Sequence, residues 1–218
     1  MIFLLPSFAF FAAAAFFVAL MMNLVRKNTT LVALFMLQSL AITLALILLA
    51  YSEAGVGLLW AALLTFMVKV IMAPVFLSRM IKKYNAYFSA ASYLNTPLSL
   101  VAIAAIMAFV YSFVSPELAQ YGASSSMSLL FGSIFVTLFL MVNRRGALAE
   151  VIGILSLENS VVLLAAFLGL HHSFALEFAI AFDIAVWVAI ATGFLSMMYR
   201  QFGAIDSATL KMTNLTEE

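Results

Sequence analysis

Seven apolar stretches, separated by short polar or helix-breaking segments, run along the chain near 2–24, 31–51, 55–78, 97–114, 127–143, 146–169 and 175–199. A helix rises about 1.5 Å per residue and a bilayer's hydrocarbon core is about 30 Å thick, so roughly 20 apolar residues make one span. The pattern therefore predicts an all-α, polytopic membrane protein with seven transmembrane helices, a single transmembrane domain and a polar tail over 200–218. No fixed-period repeat or low-complexity tract interrupts it.

The connections fix an orientation. Arg26 and Lys27 follow the first span; Arg79, Lys82 and Lys83 the third; Arg144 and Arg145 the fifth; Arg200 and Lys211 lie in the tail. The segments around Ser52-Glu53, Ser115-Pro116-Glu117 and His171-His172-Ser173 carry no Lys or Arg. Of the 10 Lys and Arg, all but Lys69 thus fall on one side when the span count is seven. The positive-inside rule makes that side cytoplasmic and places the N-terminus outside, in the inner membrane. The first stretch lacks the basic start of a signal peptide and is longer than its apolar core, so it is expected to stay as a span.

Composition narrows the chemistry. Of the 218 residues, 67% are hydrophobic and 9% charged, a balance far from that of a soluble domain, and the mean hydropathy is +1.19. The net charge of +1 and the lack of a basic, aromatic-interleaved patch give no nucleic-acid signature. With no cysteine, the chain offers no thiolate for an iron–sulfur cluster or nickel. No cofactor or metal site is expected, and no nucleophile elbow or phosphate loop occurs.

Three ionisable residues fall deep in spans: Lys69 in the third, Glu158 in the sixth and Asp183 in the seventh. Each costs about 2.5–3.5 kcal/mol at a helix centre, so each marks a functional position. Counted from the cytoplasmic ends, Glu158 lies roughly 18 Å deep, Lys69 roughly 14 Å and Asp183 roughly 24 Å. Burial raises a carboxylate's pKa and lowers an ammonium's, which suits a proton path. The alternative is a structural ion pair that only fixes helix register. Glu150, roughly 6 Å inside the edge, is a candidate entry group or a partner for Arg144 or Arg145. Pro74 follows Lys69 by five residues, and its ring is expected to free the Val70 carbonyl and kink the helix beside the lysine.

The sixth span carries a stripe of small residues: Gly146, Ala149, Gly153, Ser156 and Ser160. Such a stripe permits close helix packing. At 100° per residue Glu158 points nearly opposite, so both faces of this helix call for protein or water and it is expected in the middle of an assembly. Glu53, Glu177, His171 and His172 read as interfacial.

From Arg144 the chain reads Arg-Arg-Gly-Ala-Leu-Ala-Glu-Val-Ile-Gly-Ile-Leu-Ser-Leu-Glu-Asn, followed by Ser160 and an apolar run. This resembles the membrane subunit called hydrogenase-4 component E, with Gly153, Glu158 and Asn159 at the motif positions. Asp183-Ile-Ala-Val with the basic end at Arg200, the tail around Gly203, Asp206, Asn214 and Leu215, and Lys69-Val-Ile-Met-Ala-Pro74 are similar too. Residues 127–199 also resemble the three-helix K subunit of respiratory complex I, with Glu158 in the first carboxylate role and Asp183 in the second. Two departures are an aspartate in the second position and a different glycine-to-glutamate spacing.

The resemblance implies a non-catalytic membrane subunit of an energy-converting hydrogenase or formate hydrogenlyase complex. Its partners would be antiporter-like membrane subunits and a nickel–iron hydrogenase-type peripheral arm, with proton or sodium translocation coupled to redox chemistry there. A cation/proton antiporter subunit or free-standing ion transporter uses the same buried charges. A retinal photoreceptor is excluded, because 175–199 holds no lysine. A purely structural linker leaves the buried charges without a reason.

Overall fold

In a computed structural model, residues 4–53, 56–83, 92–114, 116, 124–144 and 147–168 are described. They are helical with short connections, and no strand occurs among them. Helix α1 spans Leu4–Leu24 and α2 spans Asn28–Glu53. Helix α3 runs through Val56–Thr65, a π-helical stretch Phe66–Met72 and a second α-helical part Ala73–Lys83. Helix α4 covers Thr96–Phe109 and ends in a π-helical stretch Val110–Val114. Helices α5 and α6 cover Ser124–Asn143 and Ala147–Phe167. The expected seventh span, 175–199, the tail and Asp183 lie outside the described residues.

Five of these helices contain segments long and apolar enough to cross a membrane: Asn28–Tyr51, Leu58–Lys83, Thr96–Phe113, Ser126–Asn143 and Leu148–Phe167. The apolar part of α1 with described surroundings, Ala9–Leu24, is shorter. The outside of the bundle is itself apolar, with Phe10, Phe17, Trp60, Val101, Phe113 and Val142 exposed. Water does not tolerate so extensive an apolar surface on a soluble monomer. Helix α3 extends to Lys83, past the boundary at 78 set by the apolar pattern. Arg, Met and Lys are good helix formers, so the helix continues after the hydropathy falls.

Helix α6 packs against α5, α2 and α1, and α1 packs against α2 and α5. Gly153 lets α5 and α6 meet closely: a Cβ there would lie 2.5 Å from Met141 Cγ. The two halves of the bundle differ in character. At the end formed by the start of α1 and the close of α2 and α6, Ala12, Ile42, Leu46, Leu130 and Leu163 form an apolar core.

The opposite end is tied together by polar contacts. The Arg144 guanidinium, buried just after α5, donates to the carbonyls of Met22, Asn23 and Val25, satisfying the otherwise unpaired C-terminus of α1. Desolvation first, and the nearby Arg26 second, pull its pKa below the ordinary arginine value. Asn143 donates to Ser99 Oγ at 3.0 Å and accepts from the Leu94 amide at 2.9 Å, while Tyr93 N–H donates to the Asn143 carbonyl. Asn95 caps α4 by accepting from Leu98 N–H, with Pro97 inside the first turn. The C-terminal ends of α1 and α5 and the N-terminal end of α4 therefore share one face of the bundle. Arg26, which donates to Thr96 Oγ1 at 3.4 Å, stands there too.

Candidate functional site

The site begins with a proline. Pro74 has no N–H to give the Val70 carbonyl, and in a regular α-helix its ring would press on that carbonyl. The backbone widens instead: Phe66–Met72 is π-helical, and Ala73 N–H donates to the Val68 carbonyl five residues back. The break expected at Pro74 is thus an expanded turn, one of the recognised ways a helix bends. Lys69 sits in the middle of that turn and is buried, with Pro74 buried just beyond it.

Across from it, Glu158 projects from the centre of α6. Lys69 Nζ lies 2.9 Å from Glu158 Oε1, and the two side chains are only 1% and 3% exposed. It is the one salt bridge among the described residues. Removing two charges from water costs several kcal/mol per ion, which the attraction offsets only with close geometry and further hydrogen bonds.

The other face of α6 is polar as well. Ser156 Oγ donates to Gln38 Oε1 of α2 at 2.6 Å and lies 3.7 Å from Met22 Sδ of α1. Asn159 Nδ2 donates to Ser39 Oγ of α2 at 2.9 Å, and Ser160 Oγ to the Ser156 carbonyl of its own helix. Gln38, Ser39, Ser156, Asn159 and Ser160 are all fully buried. The small-residue stripe therefore does two jobs. Gly153 admits α5, whereas Ser156 bonds to α2, and Glu158 on the opposite side reaches α3.

Of the residues singled out from sequence, the structure joins Lys69 with Glu158, buries Pro74 just beyond Lys69, and sets Gly153 against α5 and Ser156 against α2, with Ser160 bonded back to the Ser156 carbonyl. Gly146 and Asp183 lie outside the described residues. Glu150 is exposed in the first turn of α6, a favourable place for a negative charge. It makes no ion pair among the described residues, since Arg144 is turned to α1 instead. Sequence reasoning missed Gln38, Ser39 and Asn23, uncharged residues inside strongly apolar segments. Their signal was an amide or hydroxyl at a depth where hydrocarbon offers no partner.

These features define a class: an all-helical bundle, with helices of membrane-crossing length, built around a buried lysine–glutamate pair. No family model, curated protein or solved structure matches the chain.

Proposed function

We propose that this chain is a non-catalytic membrane subunit of an energy-converting complex of the hydrogenase-4 or formate hydrogenlyase type. In this reading it crosses the inner membrane seven times, with the N-terminus outside and the C-terminus in the cytoplasm. Its buried charges move protons, or sodium ions, in step with redox chemistry in a nickel–iron hydrogenase-type peripheral arm. Antiporter-like membrane subunits are its neighbours within the bilayer.

The observation that carries the reading is the Lys69–Glu158 pair, 2.9 Å apart and closed to solvent. Separating the two would leave each charge in a low-dielectric interior, a cost that moving a proton relieves. The widened turn that carries Lys69 is a natural place for such movement, because π-helical segments are frequent at functional sites. Asp183 serves as the second carboxylate, and Glu150, exposed at the start of α6, stands near the cytoplasmic mouth. The orientation is supported by Arg26 and Arg144, which meet at one end of the bundle.

The test is Glu158→Gln in the intact complex, with redox turnover and coupled ion movement measured side by side. Ion movement should fall sharply, and unchanged pumping would remove Glu158 from the path. Native mass spectrometry of the gently solubilised complex should show the partner subunits. A chain that stays monomeric and transports in liposomes would instead favour a free-standing transporter.

A further inference from the structure

At the basic end of the bundle two guanidinium groups stand together without an anion. Arg26 is exposed just after α1, and Arg144 is 4% exposed just after α5. They are near enough that Arg26 helps to lower the Arg144 pKa, after desolvation. No acidic side chain among the described residues pairs with either, since the ion pair described there joins Lys69 to Glu158. Arg144 gives one nitrogen to the carbonyls at the end of α1, and its Nε is buried with no hydrogen-bond partner among the described residues. Arg26 has a weak hold on Thr96 Oγ1, at 3.4 Å. Two like charges in proximity disfavour each other, so this arrangement gains wherever an anion joins them.

The Arg26 hydrogen bond reaches the start of a third helix. Asn95 already accepts from Leu98 N–H, Ser99 N–H donates to the Asn95 carbonyl, and Pro97 has no N–H. Thr96 N–H is therefore the amide of that turn left for a ligand. The positive end of the α4 dipole adds to the two guanidiniums. Directly along the helix the surface turns apolar. Leu98 and Val101, about 3 and 7.5 Å beyond Thr96, are 50% and 63% exposed. Deeper still, α1 and α4 share an apolar cluster that contains Ala19 and Ile103.

We propose that Arg26, Thr96 and the first turn of α4 hold the phosphate of a net-negative phospholipid. Arg144 supplies the second positive charge from behind them, and the acyl chains lie along Leu98 and Val101. A guanidinium is well matched to phosphate oxygens, and a helix N-terminus favours the same group. A free phosphate ion would satisfy the polar groups equally, but only a lipid also covers the exposed Leu98 and Val101. A choline or ethanolamine head group would bring a third cation to two guanidiniums, so the lipid is one such as phosphatidylglycerol. Basic side chains beside a membrane helix attract such head groups. This inference goes beyond the coupling role and does not depend on it.

The experiment titrates the delipidated full chain in mild detergent with phosphatidylglycerol, phosphatidylcholine or inorganic phosphate, and native mass spectrometry reads the affinities. Phosphatidylglycerol should bind at least about tenfold more tightly than phosphatidylcholine, a difference of ~1.4 kcal/mol. Arg26→Gln should remove that preference. Lys82→Gln takes the same charge from the exposed end of α3 and should leave it intact. Equal affinity for the two lipids would overturn the site. So would an equal loss in Lys82→Gln, which would mean diffuse attraction to the basic end. Inorganic phosphate that displaces phosphatidylglycerol at equal concentration would assign the site to a free anion and overturn the lipid. Should Arg26→Gln not fold, the unaltered chain in nanodiscs decides. Phenylglyoxal should label Arg26 severalfold more slowly in phosphatidylglycerol than in phosphatidylcholine, relative to Arg79, which is exposed on α3. Equal labelling in the two would overturn the proposal. In the intact complex, protection of Arg26 that is the same whichever lipid surrounds it would give the site to a partner's carboxylate, again overturning the lipid. None of these readouts involves Glu158, so this proposal and the coupling role fail separately.

Discussion

Replacing Lys69 by Met leaves the Glu158 carboxylate facing a hydrocarbon side chain at a position only 3% exposed. At 2.9 Å and an effective dielectric of about 20, the attraction removed is about 6 kcal/mol gross. Part of it only repaid the desolvation of two ions, so the measured loss should be smaller: about 3–5 kcal/mol for breaking a buried pair at one partner. Glu158→Leu should cost a similar amount by taking the carboxylate away from the ammonium. The double variant Lys69→Met with Glu158→Leu strands nothing, and its cost should fall to about 1 kcal/mol or less, since apolar replacement of a buried pair is often neutral. The assay is reversible unfolding of the full chain in mixed micelles, titrated with a denaturing detergent and followed by far-ultraviolet circular dichroism. The quantity sought is the interaction energy of the cycle, expected to be several kcal/mol. If the two single losses simply add, within about 0.5 kcal/mol, the pair is not an energetic unit and the site argument fails.

The remaining expectations concern the frame around the pair. Gly153→Ala would put a Cβ 2.5 Å from Met141 Cγ, an atom near the backbone with little room to yield, and should destabilise by about 1–3 kcal/mol on the same assay. Gly132→Ala meets the Met107 Sδ at 2.8 Å, part of a flexible side chain that can swing away, so the gain in helix propensity should hold the net change within about 1 kcal/mol. Arg144→Gln should cost about 3 kcal/mol, because the carbonyls of Met22, Asn23 and Val25 lose charge-assisted donors. Arg144→Lys should recover part of that loss, because all three bonds leave one guanidinium nitrogen and an ammonium is likewise a single-nitrogen donor with three N–H groups. The Arg144→Gln loss should not vary between neutral and mildly alkaline pH, because an arginine side chain stays protonated across that range. Pro74→Ala restores an N–H for the Val70 carbonyl and should let the widened turn relax. The interaction energy of the Lys69–Glu158 cycle, measured in that background, should then drop, and an unchanged value would detach the proline from the site.

Much of the helix layout was legible because the bilayer imposes one strong constraint. Apolar runs at 31–51 and 127–143 lie inside Asn28–Glu53 and Ser124–Asn143, with ends displaced by a few residues. Hydropathy could not see the end of α3, where Arg79, Lys82 and Lys83 continue the helix beyond the apolar segment. Charge counting placed Arg144 in a basic connection, which it is, but a count carries no information on partners. Burial of its guanidinium on α1 is a tertiary event. Lys69 and Glu158 stood out because a charge in hydrocarbon is expensive, and a proline five residues on marked a disturbed turn. The polar seam stayed hidden for the opposite reason. Gln38 and Ser39 barely lower the hydropathy of α2, and only packing shows that they face Ser156 and Asn159.

The packing around the pair bears on why it exists. If its purpose were register alone, the stripe with Gly153 and the two side-chain bonds between α2 and α6 would already supply it. A well-packed apolar pair would also spare the desolvation cost. Register further gives no reason for the widened turn at Lys69. A lysine on a rigid α-helix would hold its carboxylate permanently, whereas one on a π-helical stretch has a second backbone hydrogen-bond pattern close at hand. Proline, lysine and carboxylate are thus economical as parts of one movable device, and wasteful as a brace.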